Sequence, residues 1–425
     1  MRERLKTAII FTTLIIIFGG IVAAIYFEAA DIFERAAQET PQYVEAFFPA
    51  PEPGLTVYDN GYEDTENTYE YPNNNYTEDY EPYEPSNGCQ GDSSLDTSVG
   101  NNGSPANEMC QENRPPGTPD NIVTITLSAA GDTTLGGDQR WAGYHAFMRE
   151  FENSGRDHSH FLRNVAHIFY ESCLSIVNLE GTLTYATEHM DKQFAFRGPP
   201  HFAQILSSSH VDAVTISNNH TIDYFQRGYE DTVNALRTEG IVYFGNEFKT
   251  IMEVNGIQVG MFGYRIWADT AENRNRVRAA IADLEYRGAQ LIIAYLHWGV
   301  ERENRPEQYQ INIGRYAIRN GADLVLGAHP HVVQGIEEYM GRFIVYSLAN
   351  FCFGGNANPP DQDSFIFQQT FSFYDGVLLP DIDKNVIPIF VSSVRYRNNF
   401  QPTVAEGADA ERILGRIERY SAWLR

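Results

Sequence analysis

Short apolar segments alternate with amphipathic ones from Asn121 onward. The apolar segments are rich in β-branched residues and bounded by polar ones, which is typical of buried strands. Three amphipathic segments have helical periodicity, and a glycine follows each, as at many helix C-termini. This alternation predicts an α/β sheet with helices on its faces. The predicted strands are 122–130, 174–180, 212–217, 257–264, 290–297 and 323–329, and the predicted helices are 229–239, 271–287 and 308–320.

The pattern changes towards the C-terminus. Three apolar runs, 343–351, 365–374 and 386–396, have no helical segment between them, which predicts antiparallel strands in a second sheet packed on the first. A last amphipathic segment, 408–424, predicts a helix that covers an outer face.

The N-terminal residues have a different hydrophobic pattern. Three basic residues within the first six precede an uncharged run, 7–27, whose 21 residues are enough to cross the hydrocarbon core of a bilayer as a helix. A cleaved signal peptide has the same layout, but its apolar region is usually only about 7–15 residues long. Residues 1–27 are therefore predicted to be an uncleaved signal anchor, with the basic end in the cytoplasm and the rest of the chain outside.

Residues 28–120 form a third zone of distinct composition. They contain 20 acidic residues against only Arg35 and Arg114, and they are rich in Tyr, Asn, Pro and Gly. Such a segment is predicted to be a disordered, self-repelling linker. It carries most of the net charge of −25, so residues 121–425 are only mildly acidic. Neither part has the basic surface that nucleic-acid binding requires, which argues against nucleic acid as a partner.

The four cysteines are too few for a disulfide scaffold. Cys89 and Cys110 lie in the predicted linker, and the sequence leaves open whether they pair. Cys173 and Cys352 lie in apolar segments, so both are expected to be buried, unpaired and inert.

Polar residues follow almost every predicted strand. Ligand sites in open α/β sheets form beyond the carboxyl ends of strands, so these side chains are expected to converge. Taken singly, Asp132 could be a turn residue and His297 a core histidine, but a structural role for every member of the set is improbable. Carboxylate, amide and imidazole groups together suit one or two divalent ions of Mn, Fe or Zn, which can hydrolyse phosphoesters. The set is Asp132, Asn178, Glu180, Asn218, Asn219, His220, His297, His329 and His331.

Seven motifs, in this order along the chain, resemble the poly-γ-glutamate capsule-synthesis CapA-type family, a branch of the calcineurin-like metallophosphoesterases. The resemblance covers roughly 122–356 and implies a four-layer α-β-β-α sandwich with a dinuclear-type metal centre. The motifs are GDTTLGGD (131–138), NLEGTLT (178–184), a segment with Lys192 and 194–196, SNNHTIDY (217–224), HWGVE (297–301), GAHPHVVQGIE (327–337) and YSLANF (346–351).

The resemblance also implies roles for single residues. Glu180 would bridge the ions, and His220 would assist the leaving group together with Asp223. The other implied metal ligands are Asp132, Asn219, His297, His329 and His331, and the implied substrate contacts are Lys192, Arg197, Asn218 and Glu301.

The chain departs from the family pattern at two positions. Phosphoesterases of this type usually carry Asp-x-His in the first motif, whereas Asp132 is followed by Thr133 and Thr134. One ion therefore loses a histidine, which puts full two-metal occupancy in question. Ala349 stands where the family usually has glycine, and this change is expected only to perturb a turn.

Three functions are consistent with these features. The leading hypothesis is a membrane-anchored, extracytoplasmic protein of the bacterial cell surface that acts in synthesis, export or remodelling of a poly-γ-glutamate-type capsule polymer. The first alternative is a general cell-envelope metallophosphoesterase, and the second is a non-catalytic assembly factor with a structural metal cluster. The partners expected are the anionic polymer or a phosphoester, the membrane, and other membrane-bound capsule-synthesis subunits.

The anchor is predicted to stay attached, because its apolar run has spanning length and acidic residues follow it at once. N-terminal sequencing of the protein in the membrane fraction should therefore yield the start of the chain. A mature protein that begins near Glu28 would contradict the prediction.

Overall fold

The computed structural model describes residues 121–380 and 383–424. The predicted anchor (1–27) and linker (28–120) lie outside this range, so both stay predictions. None of the helices in the described part of the chain has the length and apolar composition needed to span a bilayer.

Seven α-helices and seventeen strands are present within the described residues. The helices are α1 (Ala142–Asn153), α2 (Ala166–Tyr170), α3 (Ala203–Ser207), α4 (Phe225–Thr238), α5 (Ala271–Tyr286), α6 (Gln308–Arg319) and α7 (Gly407–Ser421), with short 3-10 helices at His158–His160, Pro200–Phe202 and Ala422–Leu424. The strands are β1 (Ile122–Thr134), β2 (Leu174–Leu179), β3 (Thr182–Leu183), β4 (Arg197–Gly198), β5 (Ala213–Thr215), β6 (Val242–Phe244), β7 (Thr250–Val254), β8 (Ile257–Ile266), β9 (Leu291–Trp298), β10 (Leu324–Ala328), β11 (Ile336–Tyr339), β12 (Arg342–Val345), β13 (Asn350–Phe353), β14 (Asp363–Tyr374), β15 (Val377–Leu378), β16 (Asp383–Phe390) and β17 (Thr403–Val404).

Two large mixed sheets organise these strands. The first has the order β17-β16-β14-β1-β2-β5-β6, with β13 also paired to β1 and β15 to β14. The second has the order β11-β12-β10-β9-β8-β7, and β3 and β4 form a separate small pair. The strands β1, β2, β5 and β6 run parallel in the first sheet, as do β8, β9, β10 and β12 in the second.

Side-chain alternation along the strands separates the core into three layers. In β9, Leu291, Ile293 and Tyr295 point between the two sheets, whereas Ile292 and Ala294 point outward. The outward faces are covered by helices: α1 to α4 lie on the first sheet, and α5 and α6 on the second. The chain is therefore a mixed α/β sandwich, as predicted, because strands with two apolar faces require cover on both sides.

The predicted elements are present, but they are distributed differently from the prediction. All six predicted strands and all three predicted helices are confirmed, and the glycines after those helices have positive φ. The six strands divide between the sheets, three in each, and the later runs join both sheets, with β14 and β16 in the first and β12 in the second. The prediction that the later runs form the second sheet was wrong. Apolar alternation determines which face of a strand is buried, but it does not specify which strand it pairs with.

The C-terminal helix differs from the prediction in the same way. Ile413 and Ile417 of α7 pack into the core between the sheets, beside β11 of one sheet and β16 of the other. The helix therefore closes the edge of the sandwich and does not cover an outer face.

The cysteines follow the prediction only in part. Cys352 is free and buried, and burial raises the pKa of its thiol well above the usual value, so it is inert. Cys173 is disulfide-bonded, so its prediction as an unpaired cysteine was wrong. Cys173 directly precedes β2, where the chain enters the sheet, whereas Cys352 lies within β13.

Gly131 is required by the close approach of two strands. A Cβ atom there would lie 1.8 Å from the carbonyl oxygen of Ala349, which accepts a 2.9 Å hydrogen bond from the backbone N–H of Asp132. The glycine therefore lets the end of β1 meet the residue that precedes β13.

Replacing Gly131 with alanine is expected to lower the free energy of unfolding by about 3 kcal/mol, because two backbone segments would have to separate. Gly415→Ala is the matched control, since this exposed helical glycine has nothing near its Cβ position and should gain about 0.5–1 kcal/mol. Urea denaturation of both variants measures the difference, and equal stabilities would contradict the packing argument.

Candidate metal centre

The ends of strands from both sheets meet at one place. Asp132 near the end of β1 is in register with Asn178 of β2, and Glu180 follows that strand directly. From the second sheet, His297 of β9 is in register with Ala328, the last residue of β10, which precedes His329. The convergence expected from the sequence therefore occurs between the two sheets, where the carboxyl ends of parallel strands face each other.

Glu180 is at the centre of this group and is fully buried. Neither of its carboxylate oxygens has a hydrogen-bond partner. Imidazole nitrogens surround it: His297 Nε2 lies 3.6 Å away, and His220 Nε2 and His331 Nδ1 each lie 4.0 Å away. Burial, and next the charge of Asp132, raise the pKa of Glu180 well above the usual value. A buried carboxylate without donors is costly, so the arrangement calls for a cation.

His329 and His331 complete a cluster that could hold a metal ion. Ligand atoms of Glu180, His329 and His331 lie within 4.8 Å of one another. His329 Nδ1 is buried without a hydrogen-bond partner, as are the oxygens of Glu180. Both histidines have a positive φ, +96° and +57°, which is a strained conformation for residues with a side chain. The unsatisfied oxygen and nitrogen atoms fit a divalent ion such as Mn, Fe or Zn.

Asp132 lies next to this cluster and is held from several sides. Its carboxylate accepts hydrogen bonds from Asn178 Nδ2 at 2.8 Å and from the backbone N–H of His329 at 3.2 Å. His331 Nδ1 is 3.0 Å from Asp132 Oδ2 and 3.0 Å from Asn350 Oδ1. Burial lowers the pKa of His331, but the charges of Glu180 and Asp132 outweigh it and raise that pKa to about 10. The two acidic residues therefore favour a positive charge at this position.

His297 is held in the neutral form. Burial lowers its pKa well below the usual value, and the neighbouring imidazoles of His329 and His331 lower it further. Its Nε2 atom lies 2.6 Å from Asn219 Oδ1, so these two predicted ligands are adjacent. Neutral imidazole is the form that binds metal ions.

His220 belongs to a second, connected group. Its Nδ1 atom is 2.6 Å from Asp223 Oδ2, and its ring stacks on Phe196 with the centroids 4.1 Å apart. Asp223 is buried and also accepts hydrogen bonds from the backbone N–H of Phe196 at 2.6 Å and from Lys192 Nζ at 2.7 Å. This network fixes the orientation of the His220 ring and leaves Nε2 facing Glu180.

The four predicted substrate contacts have different environments. Lys192 bonds to Asp223 and to the carbonyl oxygen of Asn219. Arg197 donates to the carbonyl oxygen of Ala186 and lies over the ring of Tyr224. The buried amide of Asn218 donates to Asn178 and to the carbonyl oxygen of Leu179. Glu301 is exposed, and its charge contributes to the raised pKa values of Glu180 and His331. Their roles towards substrate stay predictions.

The two departures from the family pattern have clear structural counterparts. Thr134 Oγ1 donates a 2.7 Å hydrogen bond to the carbonyl oxygen of Glu180, so this position braces the backbone and contributes no imidazole. Ala349 adopts φ +63°, the left-handed conformation that glycine adopts without strain, and its carbonyl oxygen still accepts the hydrogen bond from Asp132.

For three residues of the site, the sequence predicts no specific role. Asn178 is predicted only to lie among the strand-end polar residues, yet its amide links Asp132 to Asn218. Asn350 lies in the motif YSLANF without a predicted role, and its side chain contacts His331. Trp267 gave no signal in the sequence, although its ring lies 4.7 Å from that of His329.

A family model matches the part of the chain that contains the cluster. Residues 126–355 match the model of the family described as "Bacterial capsule synthesis protein PGA_cap". The chain belongs to this family. The matched range includes every residue of the cluster, and membership is consistent with a relation to the metallophosphoesterases.

Individual relatives share the central part of the chain. The PGA biosynthesis protein CapA of Bacillus subtilis (strain 168) is 27% identical over 207 residues, which cover 44% of this chain and 54% of that protein. The capsule biosynthesis protein CapA of Bacillus anthracis is 28% identical over 193 residues, covering 38% and 45%. A probable polyglutamine synthesis accessory protein of Mycobacterium tuberculosis is 24% identical over 281 residues, covering 58% and 72%. The chain thus spans about half the length of the two CapA proteins.

Replacing Glu180 with glutamine is expected to remove metal-dependent stabilisation without destabilising the metal-free protein. Because the pKa of Glu180 is raised in the folded state, the metal-free protein loses stability as pH rises and this carboxyl group ionises. Glutamine resembles the neutral carboxyl group and carries no such penalty. In wild-type protein, an ion at a hundredfold excess over its Kd should add about 2.7 kcal/mol. Thermal unfolding at pH 7.5 with Mn²⁺ or with chelator measures both effects.

Glu337→Gln is the control, since Glu337 is also buried but pairs with Arg315 and Tyr346. This change should lower stability by about 1 kcal/mol with or without metal, because the partly exposed Arg315 loses its charged partner. A Glu180→Gln protein that keeps the full metal-induced shift would contradict the assignment of the site.

Proposed function

We propose that this protein is a membrane-anchored, extracytoplasmic CapA-like protein that acts in synthesis, export or remodelling of a poly-γ-glutamate-type polymer through a metal-dependent, phosphoesterase-like site. The observation that carries the catalytic part is the unpartnered carboxylate of Glu180 among histidines. The polymer is supported by the relatives named for PGA and capsule biosynthesis.

The metal is proposed to be held by Glu180, His329 and His331, with Asp132, Asn219 and His297 as further ligands. These six side chains come from five separate strand ends, so the fold itself brings them together. When bound, a divalent ion at such a site polarises phosphoryl oxygens and lowers the pKa of a coordinated water. His331 would have to be in its neutral form to hold an ion, since neutral imidazole is the form that binds metals.

Proton transfer is assigned to His220. Its Nδ1 atom is engaged by Asp223, so Nε2 is the atom that exchanges a proton with the leaving group. Lys192 holds Asp223 in place from the other side, and Phe196 keeps the ring flat against its own. This arrangement positions a general acid 4.0 Å from the carboxylate of Glu180.

The extracytoplasmic location rests on the hydrophobic run 7–27 and on one further feature. Cys173 is disulfide-bonded, and disulfides persist mainly in oxidising compartments outside the cytoplasm. A location at the bacterial cell surface would place the site where a capsule polymer is exported and remodelled.

One observation favours the alternative of a non-catalytic assembly factor. Thr134 is bonded to the backbone of Glu180 and offers no ligand in place of the usual histidine. A single tightly held ion would then stabilise the junction of the two sheets or bind the polymer without hydrolysis. Catalysis and assembly make different predictions for variants of His220.

In the catalytic case, His220→Ala is expected to keep its metal and to lower kcat on a chromogenic phosphodiester by about 10²–10⁴-fold, because the general acid is lost. Glu180→Ala should lose both the metal and the activity. Metal analysis and kinetics on the same full-length samples, loaded with Mn²⁺, test both variants.

The outcomes separate the hypotheses. Wild-type protein that binds no transition metal under any loading, or Glu180→Ala that binds it equally well, would refute a metal-dependent site. Wild-type protein that binds metal and supports polymer formation in cells, with no hydrolytic activity and with a functional His220→Ala variant, would favour the assembly factor.

A further inference from the structure

Strand β8 directs one exposed arginine towards the metal cluster. Along this strand, Tyr264 and Ile266 point into the outer core beneath α5, whereas Met261 points into the core between the sheets. A Cβ atom on Gly263 would meet Thr215 Oγ1 of the opposite sheet at 2.6 Å, so position 263 also faces inward. Side chains alternate in a strand, and Arg265 therefore shares the inward side, at the open end of the sandwich.

The register of the sheet places Arg265 beside a residue of the cluster. Arg265 is the partner of His297 in the parallel pair of β8 and β9. His297 also points between the sheets, because Ile293 and Tyr295 on the same strand do. Neighbouring residues on one face of paired strands lie close enough for long side chains to meet a common ligand.

The ring contacts of Trp267 show that the chain at the end of β8 faces the histidines of the cluster. It follows Arg265 by two residues, and its ring lies 4.7 Å from that of His329 and 6.1 Å from that of His297. The indole is 44% exposed and the His331 side chain is partly exposed, so the cluster reaches solvent beside Trp267, and this side is called the opening. Arg265, near the end of β8, and Trp267, directly after it, thus lie on the same side of the cluster.

Arg265 is available for a ligand, unlike the cations predicted from the sequence. Lys192 donates a hydrogen bond to Asp223, and Arg197 donates one to the carbonyl oxygen of Ala186. Arg265 is exposed and has no hydrogen bond or ion pair with any residue in the described ranges. A planar guanidinium matches the geometry of a carboxylate or phosphate and can bind it through two hydrogen bonds.

We propose that Arg265 binds an oxyanion group of the substrate beside the metal cluster, with Trp267 as the adjacent wall of this subsite. The inference rests on the proposed function and adds to it the residue that selects anionic substrates. The oxyanion is either a carboxylate of the polymer or a phosphate, and the two probes below distinguish these sources.

The test is calorimetric titration of full-length, Mn²⁺-loaded protein with orthophosphate and, separately, with a γ-linked glutamate oligomer. Arg265→Gln should weaken binding of at least one probe by about ten- to a hundredfold, because a charge-assisted pair is lost. Arg265→Lys should recover part of the affinity, since it keeps the charge without the two-pronged geometry. The metal content of both variants should equal that of wild type, because Arg265 is not a proposed ligand.

Two arginine variants serve as controls. Arg278 is exposed on α5, which covers the outer face of the second sheet, so Arg278→Gln should bind both probes like wild type. Arg302→Gln tests the exposed arginine whose backbone N–H donates to the carbonyl oxygen of Pro330. It should also retain the affinity that Arg265→Gln loses.

Loss of affinity for phosphate alone identifies a phosphate subsite, and loss for the oligomer alone identifies a carboxylate subsite. Unchanged affinity of Arg265→Gln for both probes overturns the inference, as does a loss confined to Arg302→Gln or wild-type protein that binds neither probe. Metal analysis of the same samples shows separately whether the metal centre itself is absent, which would refute the proposed function.

Discussion

The unpaired carboxylate of Glu180 is the feature on which the site depends. It is buried between two sheets, receives no hydrogen bond and lies within about 4 Å of three imidazoles. A charged group in that position is unfavourable unless a cation compensates it. Burial raises the pKa of Glu180, and the neighbouring acidic groups raise that of His331, as expected where negative charge lacks compensation. The geometry therefore favours metal binding over an empty site.

The surrounding fold maintains this unfavourable cluster by close backbone packing. Gly131 lets β1 approach Ala349, and Ala349 accepts the left-handed conformation that this contact requires. His329 and His331 also have positive φ angles, on the short loop after β10. Local strain of this kind persists where the surrounding packing holds it in place, and here three apolar layers do so. This backbone strain lowers the stability of the fold, but it holds the candidate ligands in position.

Charged groups around the cluster have different tasks. Lys192 and Asp223 hold His220, so their charges neutralise each other within the site. Arg265 has no such partner in the described part of the chain and borders the opening together with Trp267. This division separates the groups that orient the His220 imidazole from the group proposed to bind an anionic substrate. Family membership agrees with a polymer-related role, and the substrate itself is part of the proposal.

The sequence alone determined the main elements and the polar residues that converge between the two sheets. Strand and helix periodicity is local, and it located the six strands and three helices within a few residues. Ligand types at strand ends could also be identified, because convergence at carboxyl ends is a general property of α/β sheets. The tertiary structure decided which strands share a sheet, since pairing joins distant segments such as β1 and β14. It also decided which cationic side chains remain available to a ligand. The sequence does not distinguish Lys192, Arg197 and Arg265, whereas the structure shows that the first two are hydrogen-bonded within the protein. Trp267 and Asn350 entered the site for the same reason, because contacts between residues far apart in the chain leave no periodic signal.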